Sequence, residues 1–244
     1  MAITKERKKY LAGICAYNEG DKIRRVIEKF NDYAHYDVLI LDDGSTDASI
    51  ENLKIDGLPI DTIVNPQTMG AGYGTRQIID YAKEHGYEAM FFISGNDKDD
   101  PDDINKLIAA LEEGYDFVQG SRYLPGGVYG HMPAYRKVAT RFIHPFLFSL
   151  IAGIKITDST NGFRAVKTSL CRDTRIDLTP TWLDQYELEP YLFYKAVQLK
   201  YRVTEVPVRK IYPPQGQGYT KMKPFIGWWS ILRPLIYLAL RIKQ

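Results

Sequence analysis

The chain has 244 residues, 45% hydrophobic and 25% charged; such averages exclude wholesale disorder and fit one large α/β domain better than two small ones. Two cysteines, Cys15 and Cys171, exclude a disulfide scaffold and a multi-cysteine zinc site, and read as small core residues of a reducing compartment. The net charge of +2 hides an asymmetry: residues 190–244 carry ten Lys or Arg against one acid, Glu205, which suggests an anionic partner for that stretch.

The basic first ten residues lead into no apolar run of signal-peptide length, so no secretory leader is expected. Apolar runs then fall at 10–16, 38–41, 62–64, 89–94 and 117–119. Amphipathic helices are predicted between them, including 22–33 (Ile23, Val26, Ile27, Phe30) and 104–112 (Ile104, Leu107, Ile108, Leu111). Strand–helix–strand alternation predicts a mainly parallel sheet covered on both faces. Ligands of such sheets sit at the carboxyl ends of the strands. Polar motifs fall there: Asn18-Glu19, Asp42-Asp43 and Asn96-Asp97. Beyond residue 120, 132–154 reads as a long apolar helix kinked at Pro145. A helix over 186–199 and a strand over 202–211 follow, then a Pro/Gly loop at 213–218 and an apolar segment at 224–242.

Three stretches carry the chemistry. Residues 38–47 read VLILDDGSTD, a strand ending in two carboxylates and a glycine turn, with Ser45 and Thr46 of N-cap type for a following helix. Gly70, Gly72 and Gly74 precede a helix carrying Arg76; glycines let the backbone approach a ligand, and a helix start favours an anion. Residues 94–103 read SGNDKDDPDD. Hard carboxylate oxygens suit Mg²⁺ or Mn²⁺, and such an ion neutralises a nucleoside diphosphate as it leaves. Asp100, Asp102 and Asp103 around Pro101 read instead as caps of the next helix.

Taken in order, these motifs resemble the family 2 glycosyltransferases of the GT-A (Rossmann-like) fold. The residues that carry the resemblance are Ala16-Tyr17-Asn18-Glu19, the 42–47 motif, Gly70-Ala71-Gly72 with Arg76, and the acidic 95–103 stretch. Gly120-Ser121-Arg122-Tyr123, Asp158 with Asn161-Gly162-Phe163-Arg164, and Glu205-Val206-Pro207-Val208 follow. The last three resemble the branch with dolichyl-phosphate mannosyl- and glucosyltransferases and polyprenyl-phosphate glycosyltransferases. The likeness spans residues 9–223 and implies a nucleotide-binding half over about 9–120 and an acceptor half over about 121–223, with 224–244 as an apolar basic C-terminal helix.

The resemblance implies an α/β GT-A domain that moves a sugar from a UDP- or GDP-linked donor to a polyprenyl phosphate with inversion. It places Ala16, Tyr17, Glu19, Asp42, Asp43, Gly70, Gly72, Arg76 and Asn96 at the nucleotide sugar. Its D-x-D-x-Q pattern falls on residues 95–99, with Gly95 where the first aspartate is usual and Asp99 where glutamine is usual; Asp97 and Asp99 are then the expected metal ligands. Arg122 and Arg136 are expected at the acceptor phosphate and, with Asp97 and Asp158, in catalysis. Thr140 lies one helical turn past Arg136, and Lys210 and Lys221 are the candidates for a further phosphate cation.

Two other readings stay open. A hydroxyl acceptor in cell-surface polysaccharide synthesis would need a base among Asp158, Glu187 and Glu189. A non-catalytic nucleotide-sugar-binding subunit is suggested by Gly95. Residues 225–242 are too interrupted by Arg233-Pro234 to span a bilayer and fit an interfacial helix, with Trp228, Trp229 and Tyr237 flanked by Lys221, Lys223, Arg241 and Lys243. The expected setting is cytoplasmic, peripheral on the inner face of a membrane, without nucleic acid and compatible with a homo-oligomer.

Overall fold

In a computed structural model, which describes residues 8–30, 35–51, 53, 58, 60–213 and 226–242, alternating strands and helices build a three-layer α/β domain. The strands are β1 (Tyr10–Ala16), β2 (Tyr36–Asp42), β3 (Ile60–Val64), β4 (Ala89–Ser94), β5 (Phe117–Ser121), β6 (Val128–Gly130), β7 (Arg164–Lys167), β8 (Val203–Pro207) and β9 (Arg209–Ile211). Seven form one sheet in the order β3-β2-β1-β4-β7-β5-β8, and β6 and β9 pair separately. All pairings are parallel except those of β7, which runs antiparallel between β4 and β5.

Period-two side-chain alternation divides each central strand between two cores. Leu11, Leu39, Leu41, Met90 and Phe92 face one side. They meet α2 (Ala71–His85) through Ile78, Ile79 and Ala82, and α7 (Leu188–Gln198) through Leu192 and Phe193. Ala12, Ile14, Val38, Ile40, Phe91 and Ile93 face the other. There α1 (Asp21–Glu28) supplies Ile23, Val26 and Ile27, and α3 (Ile104–Glu112) supplies Ile104, Leu107 and Leu111. Each fully buried side chain of this kind contributes roughly 1.5–3 kcal/mol, so both layers are pinned to the sheet. The register aligns the carboxyl ends of β1, β2 and β4, with Ala16 opposite Asp42 and Cys15 opposite Ser94.

Three expectations differ. The first helix ends at Glu28. No helix follows Asp43: Ser45 turns its hydroxyl back to Asp42 Oδ1, and residues 43–49 stay non-helical. The 132–154 segment comprises α4 (Ala134–Val138), a π-helical turn (Ala139–Ile143) and α5 (His144–Ala152). Pro145 sits in the first turn of α5, where its missing N–H is tolerated, and the wide turn before it absorbs the irregularity. A short helix α6 (Thr168–Cys171) follows β7, and the C-terminal helix α8 (Ile226–Ala239) packs against α5 and α7.

Candidate active site

The loops after β1 and β2 are stitched together. Asn18, in the left-handed region at φ 49°, donates its N–H to Ser45 Oγ and accepts from Thr46 N–H. Gly20 N–H donates to Asp47, and Asp42 accepts from Ser45 N–H at 2.9 Å. Ala16 is buried and Glu19 is 8% exposed beside this seam, with Tyr17 half-buried on the same loop.

Asp43 organises a more distant segment. Its carboxylate accepts four hydrogen bonds: from Asn65 Nδ2 (3.0 Å), Thr68 Oγ1 (2.8 Å), Met69 N–H (2.8 Å) and Gly70 N–H (3.1 Å). Both oxygens thereby hold residues 65–70 against the carboxyl end of β2. Asn65 is in turn locked to Gln77 by reciprocal amide bonds.

The glycines at the start of α2 do different work from that expected. A Cβ on Gly72 would lie 1.9 Å from Leu183 O, and one on Gly70 would lie 2.4 Å from Asp184 O. The close approach they permit is to the chain itself. Arg76 follows suit, pairing with Asp184 at 2.7 Å, so these three residues dock the 180–185 segment onto the start of α2. Gly72 and Gly74 lie inside the helix rather than ahead of it.

The acidic turn after β4 separates its carboxylates. Asp97 adopts φ 60°, a left-handed conformation, and its side chain meets Arg25 (2.8 Å) on α1 and Lys29 just past its end. Asp99 is 3% exposed and pairs with Lys210. Asp100 caps the following turn by accepting from Asp102 N–H. Asp103 accepts from Arg209 N–H and pairs with Lys106.

Beyond β5, Arg122 is 2% exposed. It grips Asp158 through Nε (2.6 Å) and Nη2 (2.8 Å), and donates to Thr160 (2.8 Å) and to the Tyr212 hydroxyl (3.2 Å). Burial disfavours its charge, but Asp158 outweighs that and the pKa rises. Arg122 therefore frames the site from behind rather than meeting an acceptor phosphate. Asp158 is fully buried in the same pair, and its N–H and Thr157 are held by Glu205, whose carboxyl burial pushes up. Thr140 shares a 2.6 Å hydrogen bond with the Tyr123 hydroxyl and donates to Arg136 O.

Arg136 lies half-exposed 5.4 Å from the Tyr212 ring centroid, and Lys98 lies 5.1 Å from the same centroid. Burial lowers the Lys98 ammonium to about 8, helped by Lys210 and Arg136 and opposed by Glu19 and Asp99. Cations thus gather around Tyr212, Lys98 from the turn after β4, Lys210 from β9 and Arg136 from α4. Lys221 lies outside the described residues.

The three candidate bases are each held by an arginine: Asp158 by Arg122, Glu189 by Arg164 and Glu187 by Arg233.

A family model described as glycosyl transferase family 2 matches residues 12–175. The chain belongs to glycosyl transferase family 2. This glycosyltransferase is 26% identical over 227 residues to the polyprenol monophosphomannose synthase of Mycolicibacterium smegmatis, covering 91% of this chain and 83% of that one. It is also 26% identical over 215 residues to the UDP-N-acetylglucosamine–dolichyl-phosphate N-acetylglucosaminyltransferase of Methanococcus voltae, covering 82% and 84%. Among solved structures, glucosyl-3-phosphoglycerate synthase from Mycobacterium tuberculosis, in complex with Mn²⁺, UDP and glucosyl-3-phosphoglycerate, shares the fold. Its TM-score is 0.65 at 18% identity, covering 96% of this chain and 79% of that one.

Whether an ion such as that neighbour's suits the glycosyltransferase turns on Asp99. Asp99 Oδ2 and Asn96 Oδ1 are buried acceptors with no donor among the described residues. Mg²⁺ and Mn²⁺ take one or two carboxylates and complete their shell with substrate phosphates and water, so Asp99 fits one ligand position. Asp97 does not, because its carboxylate is turned to α1. At position 95, where an aspartate is usual, a Cβ would lie 2.9 Å from Ile23 Cδ1 and 3.3 Å from Ala16 Cβ and Cys15 O, so an aspartate there needs the end of Ile23 to shift. The described residues contain no group of three His, Cys, Asp or Glu that could hold a metal by themselves, which leaves substrate to supply the rest.

Sequence reasoning missed Lys98, Tyr212 and Asn65. Lys98 stands inside a stretch read for its carboxylates, and the other two are common residue types whose roles depend on distant partners.

Proposed function

We propose that this glycosyltransferase moves a sugar from a UDP- or GDP-linked donor to a polyprenyl phosphate, with inversion. The observation that carries the reading is that cations converge at the Tyr212 ring while every candidate base is already paired with an arginine. A hydroxyl acceptor needs a base to take its proton. A phosphate monoester is ionised at neutral pH, so positioning and charge neutralisation suffice. The names of the relatives support the same acceptor.

In the proposed step, a phosphate oxygen attacks the anomeric carbon opposite the nucleotide. One C–O bond forms, the bond to the diphosphate breaks, and its electron pair departs on the nucleoside diphosphate. Asp43 holds the 65–70 wall, with Ala16, Tyr17, Glu19, Asp42 and Asn96 around the donor. Arg136 and Lys210 meet the acceptor, Thr140 sets Arg136 and Tyr123, and Arg122 with Asp158 holds Tyr212 from behind. A divalent cation at Asp99 would supply positive charge to the leaving diphosphate.

We also propose that the chain works as a peripheral protein on a cytoplasmic membrane face. No described helix is long and apolar enough to cross a membrane. However, Phe146 and Leu150 on α5, Trp229 on α8, Phe142 in the π-helical turn and Leu240 just past α8 are exposed. A groove of about 450 Å³ between Phe142, Phe146 and Ile156 carries Arg141 and Lys155, which suits an anionic lipid surface.

The test is donor turnover with UDP- and GDP-sugars, with and without a polyprenyl phosphate. The expected result is lipid-phosphate-dependent release of nucleoside diphosphate and a lipid-linked sugar. Transfer to a saccharide hydroxyl without transfer to lipid phosphate would overturn the proposal.

A further inference from the structure

Tyr212 is 4% exposed and follows β9 directly. Its hydroxyl is fixed by Arg122, itself locked to Asp158, so the ring is a rigid platform. Two cations rest over it, Lys98 and Arg136, at 5.1 and 5.4 Å from the centroid. Lys98 is tied to this place through its backbone as well, since Ile211 N–H donates to Lys98 O at 2.8 Å. The left-handed turn at Asp97 sends that residue's carboxylate to α1 while Lys98 lies over the ring. Lys210 adds a third positive charge, paired with Asp99.

We infer that Lys98 contacts substrate phosphate directly, forming with Arg136 a two-cation clamp on the Tyr212 ring that takes phosphoryl oxygens. Three cations stand together here, Lys98 and Arg136 over the Tyr212 ring and Lys210 two residues before it, against the carboxylate of Asp99. Like charges held together in a half-buried place repel, and a phosphate between them relieves that repulsion. A lysine is a compact point charge on a flexible stem, suited to follow a phosphate whose charge grows as a bond breaks. The clamp lies beside Asp99, so it adds positive charge to whatever an ion at that carboxylate supplies. The inference rests on the transferase reading only in naming two phosphates, the donor's diphosphate and the acceptor's monophosphate.

The experiment titrates UDP, GDP and, separately, geranyl phosphate into wild type, Lys98→Gln, Lys98→Arg and Arg136→Gln at a fixed Mg²⁺ concentration. Lys98→Gln is expected to weaken at least one titration about tenfold, with Lys98→Arg within about threefold of wild type; Arg136→Gln should weaken the same ligand. Weakened nucleotide binding assigns the clamp to the donor, and weakened geranyl phosphate binding assigns it to the acceptor. Should Lys98→Gln fail to fold, acylation of wild-type lysines, mapped by mass spectrometry, gives a second readout: saturating ligand should protect Lys98. Unchanged affinities in a folded Lys98→Gln protein, or an unprotected Lys98, would overturn the inference. Protection without sugar transfer would keep the clamp and remove the proposed function. Transfer to lipid phosphate with Lys98 unaffected would do the reverse.

Discussion

Asp43 spends its whole carboxylate on neighbours from residues 65–70. Truncating it leaves two backbone N–H groups and two side-chain donors without an acceptor, each costing on the order of 1–3 kcal/mol when water cannot reach it. Partial hydration of this rim lowers the sum. Asp43→Ala is therefore expected to lose about 2–4 kcal/mol in urea unfolding, with a larger proportional loss of nucleotide affinity. An unchanged unfolding midpoint would show that the segment holds itself. At this scale the sequence showed residue type and place along the chain. It put Asp43 and Arg122 near the cleft but not their partners, because Met69 and Asp158 approach from 26 and 36 residues away. For Arg122 the consequence is large: an arginine read as an acceptor ligand is buried and acts through Tyr212.

Between elements, His144 is the joint of the α5–α8 pair. Its Nδ1 meets Ser159 Oγ at 2.7 Å and its Nε2 meets Ile231 O at 3.2 Å. A carbonyl only accepts, so Nε2 carries the proton, and Nδ1 accepts from the hydroxyl. Burial holds the imidazole neutral, lowering its pKa to about 4. In the unfolded chain the same group titrates near 6.5. Below that pH the unfolded state takes up a proton that the folded state refuses, so stability falls as pH drops from 6.5 towards 4 and levels off beneath. At pH 5 the loss from this group is about 2 kcal/mol. Unfolding free energies from urea titrations at pH 7 and pH 5 should diverge by about that amount more in wild type than in His144→Gln; equal divergence would refute it. The strands of the first 121 residues were legible because β1, β2, β4 and β5 are apolar runs bounded by polar turns. β6 and β7 were not, having three and four residues, and the strand expected over 202–211 divides at Val208 into β8 and β9. Nothing in a four-residue run such as Arg164–Lys167 signals an antiparallel insertion between two parallel strands. The hydroxyls of 45–46 suit a helix cap equally well, and only the neighbouring loop at Asn18 decided against one.

Across the whole molecule, cations and apolar side chains of the second half collect around the 134–152 helix and α8. The groove that joins Phe142 and Phe146 to Arg141 and Lys155 lies one turn from Thr140. Through Tyr123 and Arg136, Thr140 leads on to the Tyr212 platform. A lipid phosphate held at the clamp could thus leave its chain along this groove towards a leaflet. Phe142, Phe146 and Leu150 are 58%, 68% and 71% exposed, so replacing them with serine removes little that holds the fold. Each large apolar side chain transferred from water into lipid is worth roughly 1.5–3 kcal/mol when fully buried. Even a third of that per residue gives the triple Phe142→Ser, Phe146→Ser, Leu150→Ser variant a loss of about tenfold or more in vesicle partitioning. Binding to vesicles containing anionic lipid should also weaken with salt, because Arg141 and Lys155 act through screened charge. Sedimentation with vesicles at two salt concentrations, beside thermal unfolding of both proteins, measures each part. Equal partitioning of the triple variant would assign this face to another partner. Reduced partitioning with an unchanged melting temperature would show that its apolar residues serve the membrane rather than the core.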